Sequence, residues 1–395
     1  MIDKSRNAEL GSLPWDAAIA KAAIEEIAAD ALAHFDPERF WPSHPLEDDV
    51  EDGNSNVYFG AAGTIWTLDY LRREKAVNFA YDFAPVLPRL LDATRAEMAR
   101  LGAYGELGSL LFGDMGTALI AMRLAPSVDM ASLVYRRAEA NMQLPVRELM
   151  WGMPGSMLAC LFMHEMTGEP RWRVLFEEQA VRLLEDLRET EQGPLWTQDL
   201  YGDHCKWLGP VHGYAGNMIP LLRGWAWLTE AQRSRVCDAA TRTLVANACR
   251  SDAGATWKAI AADSREPYLC QHCHGAPGMV TVFADAPFTS PALEELLIEG
   301  GRFTWAAGPL AKGSNLCHGT GGNGYAFLKL YRRTKDHLWL ERARAFAMTA
   351  IAQCREARGE LGRGRYSLWT GDPGFAVYLR DCLTATPRFP TADVV

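Results

Sequence analysis

Along this chain apolar residues return at three- and four-residue steps, in stretches rich in Leu and Ala. Runs that alternate apolar with polar residues are scarce. That is the period of helices that bury one face, not of half-buried strands. Several of these stretches begin just after a Gly-x-x-Gly pair. Thr64-Ile65-Trp66-Thr67-Leu68-Asp69-Tyr70-Leu71 and Tyr325-Ala326-Phe327-Leu328-Lys329-Leu330-Tyr331 are two of them. Seven pairs recur at wide intervals: Gly60–Gly63, Gly113–Gly116, Gly152–Gly155, Gly213–Gly216, Gly275–Gly278, Gly319–Gly322 and Gly371–Gly374. Their first glycines are 53, 39, 61, 62, 44 and 52 residues apart. Such spacing holds two helices of about four turns plus loops. Gly102–Gly105 and Gly359–Gly362 break the spacing and are read as chance. A glycine at a helix start lets backbone approach backbone, and is expected to leave unpaired N–H groups facing outward.

These hairpins predict an all-α protein. An array of helical hairpins either stays open as a solenoid or closes into a ring. Copies four, five and six carry His and Cys beside their first glycine, and those side chains can meet only if the hairpins curve toward one centre. A closed α/α toroid follows, one domain over residues 1–395. Residues 1–55 lead into it as a helix from about Trp15 to His34 and a loop. Pro42, Pro45 and the acidic run Glu47, Asp48, Asp49, Glu51 and Asp52 mark that loop as exposed.

Composition narrows the class. With 395 residues, 48% of them hydrophobic, the chain can bury a large core. The net charge is −9 with both signs interspersed, so no basic stripe offers itself to nucleic acid. No run of about 18 uncharged apolar residues predicts a membrane span. Met1-Ile2-Asp3-Lys4-Ser5-Arg6 lacks the apolar core of a signal peptide. Nine scattered cysteines do not make a disulfide scaffold. A reduced, cytoplasmic protein is expected.

Three repeats carry metal-ligand residue types next to the first glycine. They read Val211-His212-Gly213, Cys273-His274-Gly275 and Cys317-His318-Gly319. If the repeats are equivalent, repetition in sequence becomes convergence in space. Cys273, Cys317 and His318 form a borderline-soft set suited to zinc, with a fourth tetrahedral position open. Their 44-residue separation excludes a local zinc-finger loop. His212 has no cysteine beside it and is placed to act as an acid or base. His272 and His274 flank Cys273 as outer groups or surplus ligands, and His274 is kept with His212 as a catalytic candidate. Cys160, Cys205, Cys237, Cys249, Cys354 and Cys382 stand alone and read as core. Glu148, four residues before Gly152, would by itself be an ordinary surface acid.

Val211-His212-Gly213-Tyr214-Ala215-Gly216, Cys273-His274-Gly275-Ala276-Pro277-Gly278, and Leu316-Cys317-His318-Gly319 with Asn323-Gly324-Tyr325-Ala326-Phe327-Leu328 carry a resemblance. Together with Pro387-Arg388-Phe389-Pro390 near the end, they resemble the lanthionine synthetase C-like family over nearly the whole chain. The likeness is greater to stand-alone, eukaryotic-type members than to bacteriocin cyclases. It implies seven inner and seven outer helices with zinc at the centre, held by Cys273, Cys317 and His318. It implies His212 as the acid/base, Glu148 as the family's acidic partner, and Lys312 as the lysine tied to glutathione. The family's usual tryptophan before the first zinc cysteine is His272 here. The arginine four residues before that cysteine is Leu269, and Arg265 is the upstream candidate for its role.

The expected reaction adds a thiol to dehydroalanine or dehydrobutyrine in a peptide or protein. The donor would be glutathione or a cysteine of the same peptide, with Lys312 tilting the choice toward glutathione. Three rivals stand beside it: zinc-dependent hydrolysis, a non-catalytic glutathione- or peptide-binding scaffold, and an α/α-toroid glycosidase. Two thiolates weaken a Lewis acid for hydrolysis. A glycosidase needs paired carboxylates, and no repeat puts an acid at the ligand position.

Overall fold

The computed structural model describes residues 2–46, 53–102, 108–263 and 268–395. The acidic run of the leading loop and Arg265 lie outside the described residues. Every glycine pair opens a helix: α2 (Ala61–Arg73), α4 (Asp114–Leu124), α6 (Met153–Thr167), α8 (Tyr214–Arg223), α10 (Ala276–Phe283), α12 (Thr320–Thr334) and α14 (Asp372–Thr384). The other helices are α1 (Ala17–Ala33), α3 (Leu87–Arg100), α5 (Val128–Asn141), α7 (Pro170–Glu185), α9 (Glu230–Asn247), α11 (Pro291–Ala307) and α13 (His337–Leu361). Each even-numbered helix packs on the next, and α14 packs on α2, which closes the inner ring. The odd-numbered helices form the outer ring, giving the expected α/α toroid.

The two rings differ in amphipathicity, as their positions require. Every residue from Met153 to Met163 of α6 is buried, whereas α5 buries only Ala131, Leu133, Val134, Ala138 and Asn141. A helix buried all round belongs between layers and a one-sided helix belongs outside. The rings also start their helices differently. Asp16, Ser127, Thr229, Ser290 and Asp336 cap α1, α5, α9, α11 and α13 with their side chains. The inner helices have glycine at that position and no side-chain cap.

The N–H groups of the inner helices are not left outward and unpaired, as the glycines alone suggested. At α2, α8, α12 and α14 they are bonded to the preceding loop, at carbonyls seven residues upstream, whereas α4 and α10 start on the side chains of Met98 and Thr256. Ala61 donates to Asn54, Tyr214 to Trp207, Thr320 to Gly313 and Asp372 to Arg365. That wrapped loop also explains the second glycine of every pair. A Cβ at Gly63, Gly116, Gly155, Gly216, Gly278, Gly322 or Gly374 would overlap the carbonyl oxygen six residues before it. Close backbone approach, not left-handed geometry, is what the repeated glycine serves.

Spacing and closure have local causes. Two small hairpins lengthen the third and fourth intervals: β1 (Gln198–Leu200) with β2 (Asp203–Cys205), and β3 (Cys249–Ser251) with β4 (Gly254–Thr256). Helix α1 packs on α14 and α13, so the seventh outer helix comes from the opposite end of the chain. The last residues line the lumen. Phe389 is buried and stacks on His272 with ring centroids 4.2 Å apart. Arg223 donates to the Ala392 carbonyl and Arg123 to that of Val395. Among the described residues no helix is long and apolar enough to cross a membrane.

Candidate functional site

The wrapped loops place two residues of every repeat at one end of the ring. Two before the first glycine stand Tyr58, Leu111, Met150, Val211, Cys273, Cys317 and Trp369, all buried. Directly before it stand Phe59, Phe112, Trp151, His212, His274, His318 and Thr370. Backbone bonds join the first set around the ring: Cys273 N–H donates to Cys317, Cys317 to Trp369, Trp369 to Tyr58, and Tyr58 to Leu111, over 2.8–3.1 Å. Equivalent positions in sequence are therefore neighbours in space.

Cys273 and Cys317 come close enough to act on each other's ionisation, and His318 acts on that of Cys317. Each sulfur also accepts a neutral donor. The Tyr58 hydroxyl donates to Cys317 Sγ over 2.7 Å, and Gln271 Nε2 donates to Cys273 Sγ over 3.0 Å. Cys273 pulls the Cys317 thiol well down, and Cys317 pushes the Cys273 thiol up. Burial opposes charge on both sulfurs, and Cys273, His318 and the Tyr58 hydroxyl are what lower Cys317 against it.

These residues could hold zinc. Two sulfurs with an imidazole are its preferred donors, and one sulfur is already set up to lose its proton. Among the described residues, however, no three His, Cys, Asp or Glu groups stand as a ready-made metal cluster. The site is a pair of neighbouring thiols, one held by Tyr58 and the other by Gln271.

His212 and Glu148 form the second element. Glu148 is fully buried in the turn before α6, not on the surface. One carboxylate oxygen meets His212 Nδ1 at 3.0 Å and also accepts the Met150 N–H over 3.1 Å, while the other accepts the Trp151 N–H. A carboxylate on Nδ1 fixes the ring and leaves Nε2 to exchange protons. The ring is 17% exposed, so it is reachable. Gly209, three residues before His212, lies against the Cys273 carbonyl so closely that a Cβ would overlap it. The histidine loop is thereby locked to the first cysteine loop.

The remaining candidates separate by environment. His274 lies beside His212; burial first, then that neighbour, lowers its pKa to about 4, which keeps it neutral. Its ring faces Trp207 at 5.5 Å. His272 is buried away from the mouth against Phe389 and Trp369, and burial brings it down to about 3. Lys312 is exposed on the loop before α12 and lines a cavity of about 390 Å3 with Asp3, Arg6, Tyr268 and Gln271. Its charge acts on Cys273.

Sequence reasoning passed over Tyr58 and the rings of Phe59, Phe112 and Trp151. The signal was present, because they occupy the same two places before a glycine as the cysteines and histidines. Tyr201 and Gln271 belong to no such pattern.

Comparison with known proteins fits this geometry. The family model described as "Lanthionine synthetase C-like protein" matches residues 46–394. A zebrafish (Danio rerio) protein named glutathione S-transferase LANCL1 is 35% identical over 135 residues, 33% of each chain. The Arabidopsis thaliana LanC-like protein GCL1 is 44% identical over 92 residues, 22% of this chain and 20% of that one. The matched stretches thus span a third or less of these relatives. The solved structure of nisin cyclase superposes with a TM-score of 0.60 at 17% identity, covering 91% of this chain and 93% of that one, which is a likeness of fold.

Proposed function

This chain belongs to the lanthionine synthetase C-like family, and from that premise we propose that it is a zinc-dependent enzyme adding a thiol to dehydroalanine or dehydrobutyrine in a peptide or protein. The observation that carries the reading is the pairing of two neighbouring thiols, Cys273 and Cys317, with a carboxylate-held histidine at one mouth of the ring. Cys273, Cys317 and His318 would hold zinc, which lowers the pKa of an incoming thiol and presents it as a thiolate.

The chain's own groups supply the rest. As the sulfur bonds to the β-carbon, the double-bond electrons move onto the carbonyl as an enolate. The α-carbon then takes a proton, and His212 Nε2 is the group oriented to deliver it. Glu148 keeps Nδ1 a donor throughout, so only Nε2 changes state. The proton lost by the thiol balances the one delivered to carbon. Neutral His274 beside His212 adds no second positive charge to the mouth. Tyr58 and Gln271 hold the two sulfurs.

Glutathione is the favoured donor. Lys312 projects at a cavity that reaches Gln271 beside the thiol pair, and a relative over part of the chain is named a glutathione S-transferase. An acidic tripeptide suits Lys312 on the wall of that cavity, where Arg6 is already paired with Asp3. The test offers a dehydroalanine peptide with glutathione, and separately one with an internal cysteine. A mass gain of one glutathione marks the first product, and loss of alkylatable thiol marks ring closure. Solvent deuterium should enter the α-carbon in either case. Zinc-loaded protein that forms neither product would leave a binding scaffold as the function.

A further inference from the structure

The β1–β2 hairpin turns through Tyr201 and Gly202, whose φ values are 56° and 84°. Two positive φ values make a primed two-residue turn, which favours Asn, Asp or Gly at its first position. A tyrosine there is strained, and strain kept in a folded chain directs attention to the side chain. Residue 201 is 56% exposed in total, yet its side chain is specifically placed. Trp151 Nε1 donates to the Tyr201 hydroxyl over 2.9 Å, and the ring stands edge-on to His212 at 5.6 Å. Behind it Trp151 stacks on Phe112 at 4.6 Å, and Phe112 meets Phe59 at 5.4 Å. A run of aromatic rings thus reaches Tyr201 beside the histidine.

We propose that Tyr201 contacts the substrate, closing an apolar subsite for a side chain that flanks the dehydroamino acid. The preferred substrates are then peptides with an aromatic or large apolar residue near the reacting one. An extended peptide advances about 3.3–3.6 Å per residue, so a ring 5.6 Å from His212 reaches the first or second neighbour. The proposal rests on the thiol-addition reading for what reacts, but not for what binds.

The experiment uses two synthetic peptides, one with phenylalanine on both sides of dehydroalanine and one with serine there. Alanine replaces dehydroalanine in a second pair used for binding by calorimetry. The unaltered protein should favour the phenylalanine peptides by about two- to tenfold in KM and Kd, the range of one aromatic contact. Tyr201→Asn suits the turn better, so it should erase that preference without lowering Tm. Tyr201→Phe should retain the preference. No preference in the unaltered protein, or an undiminished one in Tyr201→Asn, overturns the proposal. A lower Tm in Tyr201→Asn with the preference intact makes the residue purely structural. Selective binding without turnover would sink thiol addition and leave the subsite standing. Turnover without selectivity would do the reverse.

Discussion

Two halves of the same mouth share one backbone and differ in chemistry. Repeats four to six present His212, Cys273, His274, Cys317 and His318, whereas repeats one to three present Tyr58, Phe59, Phe112 and Trp151 at the same places. The loops beneath both halves are alike. In each, helix N–H groups meet carbonyls seven residues upstream, at Ala61 in one half and at Tyr214 and Thr320 in the other, and glycine admits a carbonyl six residues upstream. The fold is therefore a seven-fold mould, and function is written at two positions per repeat. On the proposed reading one half would hold a metal and move a proton, and the other is lined by aromatic rings.

The comparison is broken most severely by removing a sulfur. Cys273→Ala and Cys317→Ala should each lose bound zinc and turnover together, since two ligands seldom keep zinc. Elemental analysis beside the thiol-addition assay checks this. Full zinc content in either variant would remove the cysteines from the metal site. His212→Asn comes next. It should keep zinc and fold while turnover falls about 10²–10⁴-fold, the usual contribution of an acid or base group. A variant as fast as the unaltered protein would make the histidine structural.

A third change asks whether the mould is uniform. Gly322→Ala lies in the thiol half and Gly116→Ala in the aromatic half. In each the new methyl would overlap a carbonyl six residues upstream, at Leu316 and Leu110. Both should lose about 1–3 kcal/mol, the ordinary cost of overpacking a tight site. Urea denaturation measures it. A large loss in one half only would show that the loops are not equivalent.

Much of this was legible because a steric demand repeats. Only glycine fits where a loop carbonyl touches a helix, so the pairs mark all seven inner helices and place His212, Cys273, Cys317 and His318 together. The seventh outer helix was not legible as such. α1 reads as a leading segment, and its packing on α14 is a long-range event with no local signature. Glu148 was legible only through resemblance, because burial under His212 depends on the turn before α6. Tyr201 was hidden for another reason: it acts from a hairpin that belongs to no repeat.

The smallest expected effect crosses between the halves. Tyr58 belongs by sequence to the aromatic half, yet its hydroxyl donates to the sulfur of Cys317 in the other half over 2.7 Å. Its ring is held independently, stacked between Phe112 and Trp369 at 5.3 Å from each. Tyr58→Phe should therefore keep the ring, the fold and the shape of the mouth, and remove one hydrogen bond from the thiolate. Outer partners of metal ligands typically change affinity by about 10–100-fold. A single neutral donor to one of three ligands belongs at about tenfold. Competition for zinc against a chromophoric chelator reads the change directly. Cobalt substitution adds a second reading, because a sulfur freed of its hydrogen bond donates more strongly and moves the sulfur-to-cobalt charge-transfer band to lower energy. Phe112→Leu is the control, since it alters the stack and leaves the hydroxyl in place. If it weakens zinc as much as Tyr58→Phe does, the aromatic half supports the metal site only by packing. If only the tyrosine variant does, one atom of the apolar half belongs functionally to the thiol half.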